Sequence, residues 1–167
     1  MTLPAPFRWP LFAALASALI LGGAYVFEYG FGYAPCALCY DQRHIHQAVI
    51  GLGLVTGLVF HFVPSTRRLA WAACFLIAAV FAWSAGFASW HAGIEYGWWD
   101  GPASCTSGAN VSVSANDINA LLNGTGAPIV LCDEAAWTLF GISMAGYNAL
   151  MSAGLAAISI VIGWTRR

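Results

Sequence analysis

The chain has 167 residues, of which 60% are hydrophobic and only 8% charged, and its formal net charge is −1. That is too apolar for a water-soluble domain of ordinary composition, and it has no basic patch that would take nucleic acid. The principal solvent of such a chain is lipid.

Apolar stretches long enough to cross a bilayer fall at about 9–28, 44–63, 69–90 and 136–164. The expected architecture is therefore an all-α membrane protein, one domain over 1–167. It is a four-transmembrane-helix bundle with two loops on one side, at about 29–43 and 91–135. The first stretch is expected to stay in the protein rather than be cleaved as a signal peptide. Only Arg8 precedes it, its apolar run exceeds a signal core, and no small-residue cleavage site precedes Glu28.

The first loop carries "PCALCYDQRHIHQ", with Cys36 and Cys39 three apart and Arg43 four residues after Cys39. Gly53 and Gly57 form a GxxxG in the second helix, a packing signal between membrane helices. Arg67 and Arg68 occupy the short turn before helix 3, and Cys74 lies alone within that helix as a small hydrophobe. The second loop opens among Trp90, Trp98 and Trp99, which read as interfacial anchors. Within it, Ser114 and Asp117 have capping-box spacing before Ile118, Leu121 and Leu122, and Gly124, Gly126 and Pro128 stop the pattern. A short amphipathic helix is expected there, either on the membrane surface or packed against the loop.

Lysine is absent, and five of the six arginines, Arg8, Arg67, Arg68, Arg166 and Arg167, fall on one side of a four-span layout. Basic residues near helix ends are retained in the cytoplasm, so both termini are expected there. Arg43 alone lies at the opposite boundary, where the four remaining cysteines also lie: Cys36, Cys39, Cys105 and Cys132.

A CxxC outside a membrane helix can be half of a zinc site, a structural disulfide or a redox-active pair. Zinc fits poorly, because Cys105 and Cys132 are not a second CxxC knuckle. A structural bond between Cys105 and Cys132 would add about 3 to 4 kcal/mol by loop closure. A CxxC ring, by contrast, is tight and readily reduced. If helix 2 begins near Cys39, then Arg43 shares a face with it, and a guanidinium beside a thiol favours the thiolate. An arginine at the edge of lipid is costly, which marks it as functional.

The segments "PCALCYDQR", "HAGIEYGWWDGPASC" and "CDEAAWTLFGISMAGYNAL" together resemble the DsbB family. These are bacterial inner-membrane proteins that oxidise the periplasmic thioredoxin-fold oxidase DsbA and pass electrons to quinone. The resemblance extends in layout over nearly the whole chain. Its most specific parts are the CxxC with an arginine four residues on and the series Cys132, Trp137, Phe140, Gly141, Met144. It implies a cell inner-membrane location with the active cysteines periplasmic, a DsbA-like partner, and ubiquinone or menaquinone as cofactor, which the sequence does not distinguish.

By the same resemblance Cys36 and Cys39 are the quinone-proximal pair, with Cys39 the sulfur in contact with quinone. Arg43 holds the quinone oxygen, and His91 lies near the quinone. Cys105 and Cys132 are the loop pair, with Cys105 engaging the partner. The family assigns no role to His44, His46 or His61. The tryptophan-rich "EYGWWDGP" and serine-rich "SGANVSVSAND" set this loop apart from the best-known members, so the identity of the DsbA-like partner stays open. Two other readings are weighed against this one. In a vitamin K epoxide reductase-like protein the CxxC comes late, after the loop pair, whereas here it comes first. A non-catalytic four-span protein would use its loop disulfides as staples alone.

Overall fold

The computed structural model describes residues 6–102, 105, 123 and 130–165. Among these, four helices are long and apolar enough to cross a membrane. They are rich in Ala, Leu, Ile, Val and Phe, and a helix satisfies its own backbone polar groups, as lipid requires. The chain is a multi-pass membrane protein.

Helix α1 (Trp9–Tyr25) has proline in its first turn and continues into a π-helical turn, Val26–Gly30. Helix α2 (Ala37–Phe62) is followed by a 3-10 turn, Pro64–Leu69, and then by α3 (Ala70–Glu95). Strands β1 (Thr138–Leu139) and β2 (Ile142–Ser143) form a small antiparallel hairpin that leads into α4 (Met144–Thr165).

Three boundaries depart from those expected. Helix α2 opens at Ala37 rather than about 44, because Cys36 caps it: the Cys36 sulfur accepts the Cys39 backbone N–H. Pro35 before the cap keeps the chain from winding further back. Polar residues from Asp41 to His46 hide this start from a hydropathy reading. Helix α3 runs on to Glu95 rather than 90. Helix α4 begins at Met144 rather than 136, because Phe140 and Gly141, with φ of 51° and 77°, make the tight turn of the hairpin instead. Apart from Asn123, the amphipathic helix expected over 114–128 lies outside the described residues, as do Arg166 and Arg167.

Lipid gives helices little hydrophobic reason to associate, so close approach and hydrogen bonds hold the bundle together. Helix α1 packs along α2, α3 packs along α4, and α2 joins the pairs by resting on α3. The GxxxG does what its spacing predicts. Gly53 faces the Pro10 carbonyl and Ala14, and a Cβ there would come within 2.9 Å of the Ala14 Cβ. Phe81, Ile77, Val49 and Ala13 fill the centre. Polar stitches cross it: Trp9 Nε1 donates to Ser159 Oγ at 2.9 Å, and Ser84 and Ser152 hydroxyls meet at 3.0 Å. At one end Arg8 and Arg67 both lie over the Phe7 ring. The opposite end is closed by Tyr96, whose hydroxyl accepts the Ser143 N–H at 2.8 Å and donates to the Gly141 carbonyl at 3.3 Å.

Candidate functional site

Cys36 sits where α2 begins, and that position sets its chemistry. Its sulfur accepts the Cys39 backbone N–H at 3.3 Å and lies 2.9 Å from the Cys39 sulfur. From α3, His91 Nε2 stands 3.6 Å away. A helix N-terminus and a nearby imidazole both favour a thiolate. The thiol hydrogen bond with Cys39, helped by His91 and the backbone N–H, draws the Cys36 thiol down to about 5 against the opposing effect of burial.

Arg43 is engaged elsewhere than its spacing suggests. It forms an ion pair with Glu28, which the π-helical turn brings across from α1, and its guanidinium lies over the rings of Tyr25 and Tyr40 at 4.9 and 5.3 Å. Glu28 thus supplies the opposite charge that an arginine at a lipid boundary needs. Arg43 still shares a wall with Cys39. Both line a cavity of about 310 Å³ bounded by α1, α2 and α4 and by the segment before the hairpin. Ile20, Phe27 and Met151 make its walls apolar, and Cys36, Cys39, Gln42 and Arg43 run along its α2 side. His91, expected beside the quinone, is not part of that lining and approaches Cys36 from α3 instead.

The second pair, Cys105 and Cys132, is joined in a disulfide with its Cα atoms 5.3 Å apart. The Cys132 N–H donates to the Cys105 carbonyl at 2.6 Å. Both residues are buried in one cluster with Cys36, Leu38 and Ile94, and Cys39 packs against it. Cys132 therefore lies near Cys36. Cys105, which the resemblance assigns to partner engagement, is only 5% exposed.

Cys36, Cys39 and His91 each bring one sulfur or ring-nitrogen atom within 4.8 Å of the others, so the two thiols and the imidazole form one contiguous group. Cys105 and Cys132 are bonded to each other rather than standing as a second pair of free thiols. Cys74 is fully buried in the core near the far end of α3, 3.6 Å from the Pro6 carbonyl. His44 and His61 are exposed.

Three residues that the spacing arguments passed over belong to this site. Glu28 neutralises Arg43. Gln42 contacts His91 Nδ1 at 2.6 Å, and Asn148 Nδ2 donates to Gln42 Oε1 at 2.6 Å. The available signal was Asn148 itself, an amide inside an otherwise apolar span, where an unpaired polar group is costly.

A family model described as Disulfide bond formation protein DsbB matches residues 7–162. A Disulfide bond formation protein B of Stutzerimonas stutzeri is 32% identical over 170 residues, covering 96% of this chain and 96% of the relative. One of Idiomarina loihiensis is 31% identical over 165 residues, covering 94% of this chain and 83% of the relative. One of Methylococcus capsulatus is 28% identical over 168 residues, covering 98% of each. No solved structure gives a significant match. The match runs nearly end to end, in a bundle whose cysteine pairs meet at one end, and the chain belongs to the DsbB family of disulfide bond formation proteins.

Proposed function

We propose that the protein reoxidises a periplasmic DsbA-like thioredoxin-fold partner by thiol-disulfide exchange and delivers the two electrons to membrane quinone. The observation that carries this reading is the meeting of both cysteine pairs in one buried cluster, one of them lining an apolar cavity. The proposed setting is the bacterial inner membrane with both termini cytoplasmic. The gathering of Arg8 and Arg67 at one end of the bundle supports that orientation.

In the proposed sequence a partner thiolate attacks Cys105 and Cys132 leaves. Cys132 then attacks Cys36 of an oxidised Cys36–Cys39 pair, and Cys39 is released into the cavity beside Arg43. The partner's second cysteine frees Cys105, which attacks Cys132, so the Cys105–Cys132 bond re-forms and the electron pair stays on the Cys36 sulfur. Quinone, when bound, supplies a two-electron, two-proton acceptor. The cavity fits such a ring in volume and polarity, with apolar walls and with Cys39 and Arg43 to hold its head. Cys36 and Cys39 close their disulfide as the electrons leave.

The test is quinone reduction by the purified protein supplied with a reduced thioredoxin-fold partner and either ubiquinone or menaquinone. One quinone should be reduced per partner disulfide formed, and Cys36→Ser, Cys39→Ser, Cys105→Ser and Cys132→Ser should each abolish turnover. A protein whose cysteine pairs both resist glutathione, and which reduces neither quinone, would instead carry structural staples.

A further inference from the structure

His46 is almost fully buried in the bundle, and the exchange chemistry above gives it no part. It heads a chain of hydrogen bonds that ends at Cys36. Ser17 Oγ lies 3.2 Å from His46 Nδ1, and His46 Nε2 lies 2.8 Å from Asn148 Oδ1, which also accepts from Ser152 at 3.2 Å. Asn148 Nδ2 donates to Gln42 Oε1, and this turns the Gln42 Nε2 toward His91 Nδ1. An amide nitrogen only donates, so His91 Nδ1 is the acceptor and the ring proton sits on Nε2, facing the Cys36 sulfur. Every link is buried, and each amide can satisfy its neighbours in only one sense at a time.

We propose that Gln42 and Asn148 are positioning residues for the thiol exchange: Asn148 fixes the Gln42 amide, Gln42 fixes the His91 ring, and the ring directs its Nε2 at Cys36. Unlike the orienting amide of the cysteine hydrolases, which accepts a ring N–H, Gln42 donates to Nδ1 and so holds a neutral ring with its Nε2–H directed at the Cys36 sulfur. Here it serves the step in which Cys36 leaves the Cys36–Cys132 bond carrying the electron pair. The titratable groups that face the ring are Cys36 and Cys39 at the head of α2 and Glu95, whose Oε1 lies 3.9 Å from the same Nε2. Helix α4 contributes the neutral Asn148 and Ser152, and Arg43 is engaged by Glu28.

This inference rests on the proposed exchange, but its test needs neither quinone nor partner. The full-length reduced protein is alkylated with iodoacetamide across pH, and the Cys36 adduct is followed by fragment-ion mass spectrometry. Gln42→Leu should raise the midpoint of Cys36 alkylation by about one pH unit, a roughly fivefold slower reaction at pH 5, and Asn148→Leu should shift it the same way by less. Gln42→Glu should move it the opposite way, because a carboxylate on Nδ1 stabilises the imidazolium that pairs with the thiolate. A lost side chain that merely loosened the bundle would not give opposite shifts from two substitutions at one position. Midpoints unmoved by Gln42→Leu and Gln42→Glu, or moved in the same direction by both, would overturn the assignment. Turnover measured alongside keeps the two ideas apart: normal quinone reduction with unmoved midpoints removes the positioning chain and leaves the proposed function standing.

Discussion

Arg43 is buried and Glu28 mostly so, with side chains 9% and 14% exposed, and each is the other's counter-charge. Arg43→Ala strips Glu28 of that partner in a low-dielectric setting, where breaking a buried pair costs about 3 kcal/mol, or roughly 150-fold in the unfolding equilibrium. Replacing both, as Glu28→Gln with Arg43→Ala, removes the stranded charge, so the double variant should regain about 2 kcal/mol of the loss. The assay is a double-mutant cycle by SDS-induced unfolding of the purified protein, with quinone turnover measured on the same four samples. Stability should recover in the double variant while turnover stays low, because only Arg43 lines the cavity beside Cys39. Additive single-variant losses, with coupling below about 0.5 kcal/mol, would refute the pairing argument. Turnover that recovers together with stability would reduce Arg43 to an anchor for α1.

Reduced wild-type protein should keep Cys36 alkylation nearly constant from pH 8 to pH 6 and lose it as pH falls through about 5, because a depressed thiol is ionised above that value. An unperturbed cysteine would lose it between about pH 9 and pH 7, which separates the two cases in one titration. Gly53→Leu drives a side chain into the Pro10 carbonyl and Ala14 and should cost more than about 2 kcal/mol. Gly51→Leu on the same helix, with nothing within 4 Å of the new Cβ, should cost little in the same unfolding assay. A partner lacking its second active-site cysteine should be trapped on Cys105, as read by mass spectrometry. Trapping should be slower than at an exposed disulfide, because the Cys105 sulfur must first leave its buried cluster to be attacked. An adduct on Cys132 would reverse the direction of electron flow.

The four spans were legible because lipid demands long apolar helices, and composition reports that directly. Their outer ends were not. The start of α2 depends on a cysteine acting as cap, a role more often taken by Ser, Thr, Asp or Asn, and the start of α4 depends on Phe140 accepting a left-handed backbone. In the site, the cysteines and Arg43 announced themselves by type and spacing. Glu28 did not, since it reaches Arg43 only because a π-helical turn rotates it there. The approach of His91 to Cys36 depends on the register of α3 against α2, which no local pattern encodes. Gln42 and Asn148 are ordinary amides until three helices are brought together around them.

Tyr96 ties the last turn of α3 to the hairpin that leads into α4, so both ends of the long outer segment are held side by side. Once a loop's ends are held, its length matters little: each doubling adds only about 0.6 kcal/mol of closure entropy. A change in the length of the stretch between Tyr96 and the hairpin is therefore cheap in closure entropy, whereas Cys105 and Cys132 within it are fixed by their burial against Cys36, Leu38 and Ile94. On the proposed function, a chimera that takes this stretch from a relative and keeps both of its cysteines would retain the electron exit and report which thioredoxin-fold donor the stretch selects.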